Sequence, residues 1–160
     1  MKAKHMALAV GLSLLAAGSI SSALAVQVNF QGSLVESLPC TINNNELIEV
    51  EFGNNLIIRS LDGVRYNKPV PYAIECSAPG TVRLSLKGSA TQFDNAAIAT
   101  DATGLGIRLT LSGQAFTLNS SVAVDVQNPP VLMAVPVADP AQPPVPGAFT
   151  ARATLLADYQ

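Results

Sequence analysis

The chain has 160 residues, 49% of them hydrophobic and 12% charged, with a formal net charge of −2 and a pI near 5.2. That length suits a single domain. The mild acidity excludes the clustered basic face of a nucleic-acid binder.

Met1-Lys-Ala-Lys-His5 is a short basic start, and Met6 through Leu15 is an apolar run broken only by Gly11 and Ser13. Small residues then lead to Ala23-Leu24-Ala25. Charge, apolar core and A-x-A site, in that order, describe a secretory signal peptide over residues 1–25. The apolar run is too short for a bilayer, which needs about 20 residues. Cleavage after Ala25 removes Lys2 and Lys4 from the nine basic residues, which leaves a mature net charge of −4 against eleven acidic ones. It also removes His5, the only histidine. A mature chain without histidine has no Ser-His or Cys-His nucleophile and no imidazole metal ligand.

The mature chain starts in alternation. Val26, Val28, Phe30, Gly32 and Leu34 share one face of a first strand. A glycine inside a strand marks either a bulge or a place where another backbone comes close. Both remain open on pattern alone. Cys40 and Cys76 are the only cysteines. An even count in an exported chain reads as one disulfide, worth about 4 kcal/mol for a loop of this length.

Period-2 alternation continues to the end. Ile48, Val50 and Phe52 predict a strand that ends at Gly53, and Val70, Tyr72, Ile74 and Cys76 predict the next. Val82, Leu84 and Leu86 follow, then Ile107, Leu109 and Leu111, then Val122, Val124 and Val126. Val131, Met133, Val135 and Val137 form a further strand. The alanine-rich residues 93–103 suggest a helical turn. Pro136 to Pro146 holds five prolines and reads as an exposed loop. Turn signals at Asn43-Asn44-Asn45, Asp62-Gly63, Ala78-Pro79-Gly80 and Ser112-Gly113 separate the runs. Many short strands at this spacing predict an all-β, immunoglobulin-like antiparallel sandwich.

The last run is the longest. Phe149, Ala151, Ala153, Leu155, Ala157 and Tyr159 fall on one face. A long apolar strand at the end of the chain leaves an edge that proteins normally blunt. Either it closes the sandwich, or a strand from another protein covers it by β-augmentation.

Catalysis has little support. Asp94, Asp101, Asp125 and Asp139 sit near turns and Glu49 and Glu51 share a strand face, but no spacing specifies a carboxylate pair. Gly104-Leu-Gly106 lacks the lysine and helix start of a phosphate loop. A freestanding exported binding module is the other reading, although only Tyr66, Tyr72 and scattered phenylalanines offer aromatic anchors. Asn119-Ser-Ser121 fits a glycosylation sequon, a frequent chance match.

The residues carry a family resemblance. Val28-Asn-Phe30-Gln-Gly32 is followed after seven residues by Cys40-Thr-Ile-Asn43, then by Phe52-Gly53 and by Cys76 at a strand end. Gly104-Leu105-Gly106-Ile107 follows, with Gly147 fourteenth from the end and the aromatic Tyr159 penultimate. This order and spacing resembles a chaperone–usher fimbrial subunit of the type 1 and P pilus kind. The resemblance implies an incomplete immunoglobulin-like sandwich that lacks its last strand and is completed by donor-strand complementation. It implies three segments: the signal peptide 1–25, a donor-strand extension 26–36 and a pilin domain 37–160. Val26, Val28, Phe30, Gly32 and Leu34 would be donated to a neighbouring subunit. Gly147, Phe149, Ala151, Ala153, Leu155, Ala157, Tyr159 and Gln160 would meet a periplasmic chaperone and then the neighbour's donor. The partners would be that chaperone, an outer-membrane usher and sibling pilins, with no cofactor and no nucleic acid. The product would travel through the periplasm to a surface fimbria that supports cell adhesion. Only Val26 and Gln27 precede Val28, and this short tail resembles minor pilins; a major or terminator subunit is the alternative within the family.

Overall fold

The computed structural model describes residues 29–33, 40–77 and 80–159. The chain divides into two units, Met1–Leu34 and Val35–Gln160. In the first, residues 29–33 carry no strand and Phe30 is 92% exposed. Val26, Val28 and Leu34 of the expected donor strand, and the expected signal peptide, lie outside the described residues.

The second unit is built from antiparallel strands. In chain order they are β1 (Cys40–Ile42), β2 (Lys68–Pro69), β3 (Ile74–Cys76), β4 (Thr81–Lys87), β5 (Ala97–Ala99), β6 (Leu105–Leu111), β7 (Gln114–Ala115), β8 (Ser121–Asp125), β9 (Leu132–Ala138) and β10 (Thr154–Tyr159). One sheet runs β10-β4-β8, a second runs β2-β9-β6-β5 with β7 also on β6, and β1 pairs with β3. Alternation explains why they stack. Val82, Leu84 and Leu86 of β4 and Val124 of β8 meet Ile107, Leu109 and Leu111 of β6 and Leu132 and Ala134 of β9. Phe116 and Leu118 fill the space beside them. Each such side chain contributes about 1.5–3 kcal/mol on burial. The result is an all-β, immunoglobulin-like sandwich whose sheets do not close.

Cys40 and Cys76 face each other in the β1–β3 register and are disulfide-bonded. The Tyr72 hydroxyl donates to the Pro130 carbonyl at 2.6 Å, and burial pushes its phenol up to about 12. This bond ties the segment before β3 to the turn before β9.

Several predicted elements differ. The alternation at Val70–Cys76 yields only Lys68–Pro69 and Ile74–Cys76 as strands, with Val70 and Tyr72 between them. Residues 93–103 hold the short strand β5 rather than a helical turn. Ile48, Val50 and Phe52 form no ladder among the described residues, although their burial alternates as predicted.

The proline loop begins later than expected, because Pro136 is a buried residue inside β9. Val70 donates its N–H to the Leu132 carbonyl, and Ala138 donates its own to Leu61. Even-numbered residues of β9 therefore turn their backbone groups away from β6, since these groups alternate along a strand. Pro136 belongs to that set. Its missing N–H falls between the Lys68–Ala134 pairing and the Asp62–Val137 bridge, where no partner strand needs it. Both faces of β9 are covered, with Val135 and Val137 buried opposite Leu132 and Ala134.

Gly104 and Gly106 have steric roles. Gly104 adopts a left-handed φ of +77°, and a Cβ there would sit 1.9 Å from the Gln142 carbonyl oxygen. A Cβ on Gly106 would lie 2.7 Å from Thr91 Cγ2. Gly104→Ala is expected to cost about 3 kcal/mol in denaturant unfolding, from strain and overpacking together. Gly113→Ala is the control: φ is similar at +80° but nothing lies within 4 Å, so about 1 kcal/mol is expected.

Candidate functional site: an unpaired edge and its groove

β10 pairs with β4 through one edge, from Thr154 opposite Lys87 to Tyr159 opposite Val82. As the end strand of its sheet, it has no ladder on its other edge among the described residues. Its burial alternates: Leu155, Ala157 and Tyr159 face the core, while Thr154, Leu156 and Asp158 face out. Yet none of the inward three is fully buried, whereas Val82 and Leu84 of β4, one strand further in, are at 0% exposure. The core is covered at β4 and left half-open at β10. The opposite edge, β8, is short and bracketed by the polar Ser121 and Asp125, a common way to blunt an edge.

Residues 46–53 have the complementary deficit. Ile48, Val50 and Phe52 are half-buried between exposed Leu47, Glu49 and Glu51, which is the pattern of a strand. No backbone hydrogen bond joins residues 47–56 to another strand among the described residues. The Phe52 and Phe149 rings meet with centroids 6.4 Å apart, so this segment and the C-terminal run approach each other at one end. Ile42, Phe52, Phe149, Ala151, Leu155 and Ala157 all pack on the central core from its open side. Apolar side chains thus reach the core from a strand with a ladder on one edge only and from a segment with no ladder among the described residues.

A cavity of about 550 Å³ opens at the Phe149 end. Leu56, Ile58, Leu61, Leu105, Val145 and Phe149 give it apolar walls, and Asn54 and Arg59 are its polar lining.

The C-terminal run changes sheets beside this cavity. Ala151 bridges to Thr100 at the end of β5, and β10 then joins β4. Asp101 accepts the Thr150 N–H at 2.7 Å and its hydroxyl at 3.0 Å, and donates its own N–H to the Thr150 carbonyl at 3.1 Å. The hydrogen bonds from Thr150, its backbone N–H first, stabilise the charged carboxylate and hold its pKa below the usual value.

Of the predicted residues, Cys40 and Cys76 are bonded as expected, and Phe149, Ala151, Leu155, Ala157 and Tyr159 line one half-buried face. Ala153 departs from it: it is exposed, because the single alternation breaks where the run leaves Thr100 and joins β4. Gly147 is exposed at the cavity, with nothing within 4 Å of a Cβ. Gln160 lies outside the described residues. Asp101, Thr150, Leu56 and Ile58 were not singled out for the groove, and no motif marks them.

The other three candidate aspartates each cap a turn. Asp94, Asp125 and Asp139 each accept the N–H two residues ahead, and Asp94 also holds the Arg108 guanidinium. The Asn119 carboxamide exchanges two hydrogen bonds with the Gly88 backbone, so the sequon asparagine clasps a turn.

A family model described as "Fimbrial protein" matches residues 28–160. The chain belongs to the fimbrial protein family. It is 37% identical over 153 residues to the uncharacterised fimbrial-like protein YfcQ of Escherichia coli K12, covering 88% of this chain and 94% of YfcQ. It is 34% identical to YfcR of the same strain, covering 76% of this chain and 74% of YfcR. Among solved structures, the P pilus adaptor subunit PapF aligns with a TM-score of 0.53 at 26% identity, over 76% of this chain and 96% of PapF. The P pilus rod subunit PapA aligns with a TM-score of 0.58 at 23% identity, over 84% of this chain and all of PapA. The chain shares the fold of solved pilus subunits. The half-open sandwich is therefore the fold of a pilin.

Proposed function

We propose that this fimbrial subunit is a minor pilin, assembled by donor-strand exchange in a fibre that supports cell adhesion. One observation carries the reading: among the described residues, β10 ends its sheet with a ladder on one edge only, residues 47–53 join no ladder, and apolar side chains of both pack on the same core. A single inserted strand satisfies both backbones and buries those side chains, which neither segment achieves alone. A periplasmic chaperone supplies it first, along the face formed by Phe149, Ala151, Leu155, Ala157 and Tyr159, with Gly147, Ala153 and Gln160 completing the contact. At the outer-membrane usher a neighbouring pilin's extension replaces it.

In turn this chain, after removal of residues 1–25, donates residues 26–36 of its own. Val26, Val28, Phe30 and Leu34 enter the neighbour's groove, with Gly32 as the bare position. The exposure of Phe30 and the open space around Gly32 suit a donor. The short tail ahead of Val28 supports a minor rather than a rod position.

Hydrogen–deuterium exchange tests the groove directly. Donor peptides copying residues 26–36, or the corresponding segments of YfcQ and YfcR, are added to the mature chain. Amides of β10 and residues 46–53 are expected to gain protection together. If protection appears elsewhere or nowhere, the groove assignment fails.

A further inference from the structure

We propose that Asp101 is a positioning residue for donor-strand capture: by clasping Thr150 it holds Phe149 against the wall of the cavity and keeps that end of the groove open. The inference rests on the donor-strand reading above. Asp94, Asp125 and Asp139 spend a carboxylate oxygen on the N–H two residues ahead, as turn-forming acids do. Asp101 instead reaches 49 residues along the chain and engages Thr150 through three hydrogen bonds.

The residues beside this clasp are the cavity's own. Ala102 and Leu105 line it from the Asp101 side, and Gly147 and Phe149 from the Thr150 side. The Asp101 jaw is rigid. Thr100 Oγ1 lies 3.0 Å from the carbonyls of both Ala102 and Leu105 and accepts the Ala102 N–H at 3.1 Å. Thr100 and Leu105 also pair through their backbones. The Thr150 jaw has no such frame. Between exposed Gly147 and the Ala151 bridge, the backbone bond from Asp101 is the one described backbone tie of the segment.

A ring that swings in from the apolar wall of this cavity removes apolar surface from water. Phe149 is on its wall and is large enough to fill part of it. Unclasped, its ring competes with the incoming strand. Clasped, it forms a wall for that strand to pack on.

The test is the rate at which the mature chain captures fluorescent donor peptides: residues 26–36 and the corresponding segments of YfcQ and YfcR. Asp101→Ala is expected to slow capture at least tenfold. Thr150→Val keeps the backbone N–H and removes one limb of the clasp, so about threefold is expected. Asp101→Asn can still accept the N–H and can donate to the hydroxyl, so it is expected to restore the rate to within twofold. The denaturation midpoint of the donor-bound chain is measured in parallel and is expected to change little. If Asp101→Ala captures at the wild-type rate, or if every rate loss is matched by an equal loss of donor-bound stability, the positioning role is overturned while the donor-strand reading stands. A wild-type chain that captures none of the peptides overturns both.

Discussion

Fusing a donor strand after Gln160 through a short linker is expected to turn an aggregating or marginal chain into a monomer more stable by about 5 kcal/mol, chiefly from apolar burial on both faces of the joint. The hairpin geometry suits the site: every ladder in the sandwich is antiparallel, and a strand returning from the end of β10 meets its free edge in the same sense. Val28, Phe30 and Leu34 of the donor would bury about 1.5–3 kcal/mol each. Leu155, Ala157, Tyr159 and Phe52 are held half-exposed without the donor and gain cover at the same time. Ordering the donor opposes this at roughly 1–2 kcal/mol per residue. The donor's new backbone hydrogen bonds, each worth about 1 kcal/mol, offset much of that cost. Sizing chromatography and denaturant unfolding of the plain and fused chains measure the effect. A plain chain that is already a stable monomer, unchanged by any donor, would mean a closed sandwich. The binding-module reading would then take the place of the polymerising one.

The sequence made some parts of this arrangement readable and hid others. The β4 and β6 cores follow from alternation alone, since Val82, Leu84, Ile107 and Leu109 each point where a period of two sends them, whereas in β8 Val124 is buried and Val122, two residues before it, is exposed. Pro136 shows the limit of a residue-type rule. A proline is excluded from a central strand only where its absent N–H had a partner, and that depends on which neighbour lies beside it. Ile48, Val50 and Phe52 show a different limit. Their alternation is correct, but it records which face is apolar and says nothing of whether another strand lies alongside. The groove rests on two edges without a ladder among the described residues, and local sequence does not encode whether a ladder forms. The same holds for the Asp101–Thr150 clasp, which joins residues that no short-range pattern connects. Asp101 resembles Asp94 and Asp139 in sequence and differs from them in giving both carboxylate oxygens to one distant residue, Thr150.

Gly32→Leu is expected to separate the two halves of assembly, with incorporation into fibres falling at least tenfold while the variant chain still folds and still captures donors. The separation follows from where the added side chain acts. Nothing described in the chain lies within 4 Å of a Cβ at Gly32, so the chain's own fold gives the substitution no clash. In the proposed donated state the same position would lie on the apolar face between Phe30 and Leu34, against another subunit's core. Overfilling a packed site costs roughly 1–3 kcal/mol, and about 1.4 kcal/mol is already a factor of ten in an equilibrium constant. Gly32→Ala is expected to fall between wild type and Gly32→Leu, since a single methyl displaces less. Capture of a donor peptide by the Gly32→Leu chain checks that its own groove is intact, and fibre yield in cells checks donation. Unchanged fibre yield would remove residues 26–36 from the donor role. Loss of peptide capture together with yield would instead place Gly32 in the fold of its own subunit.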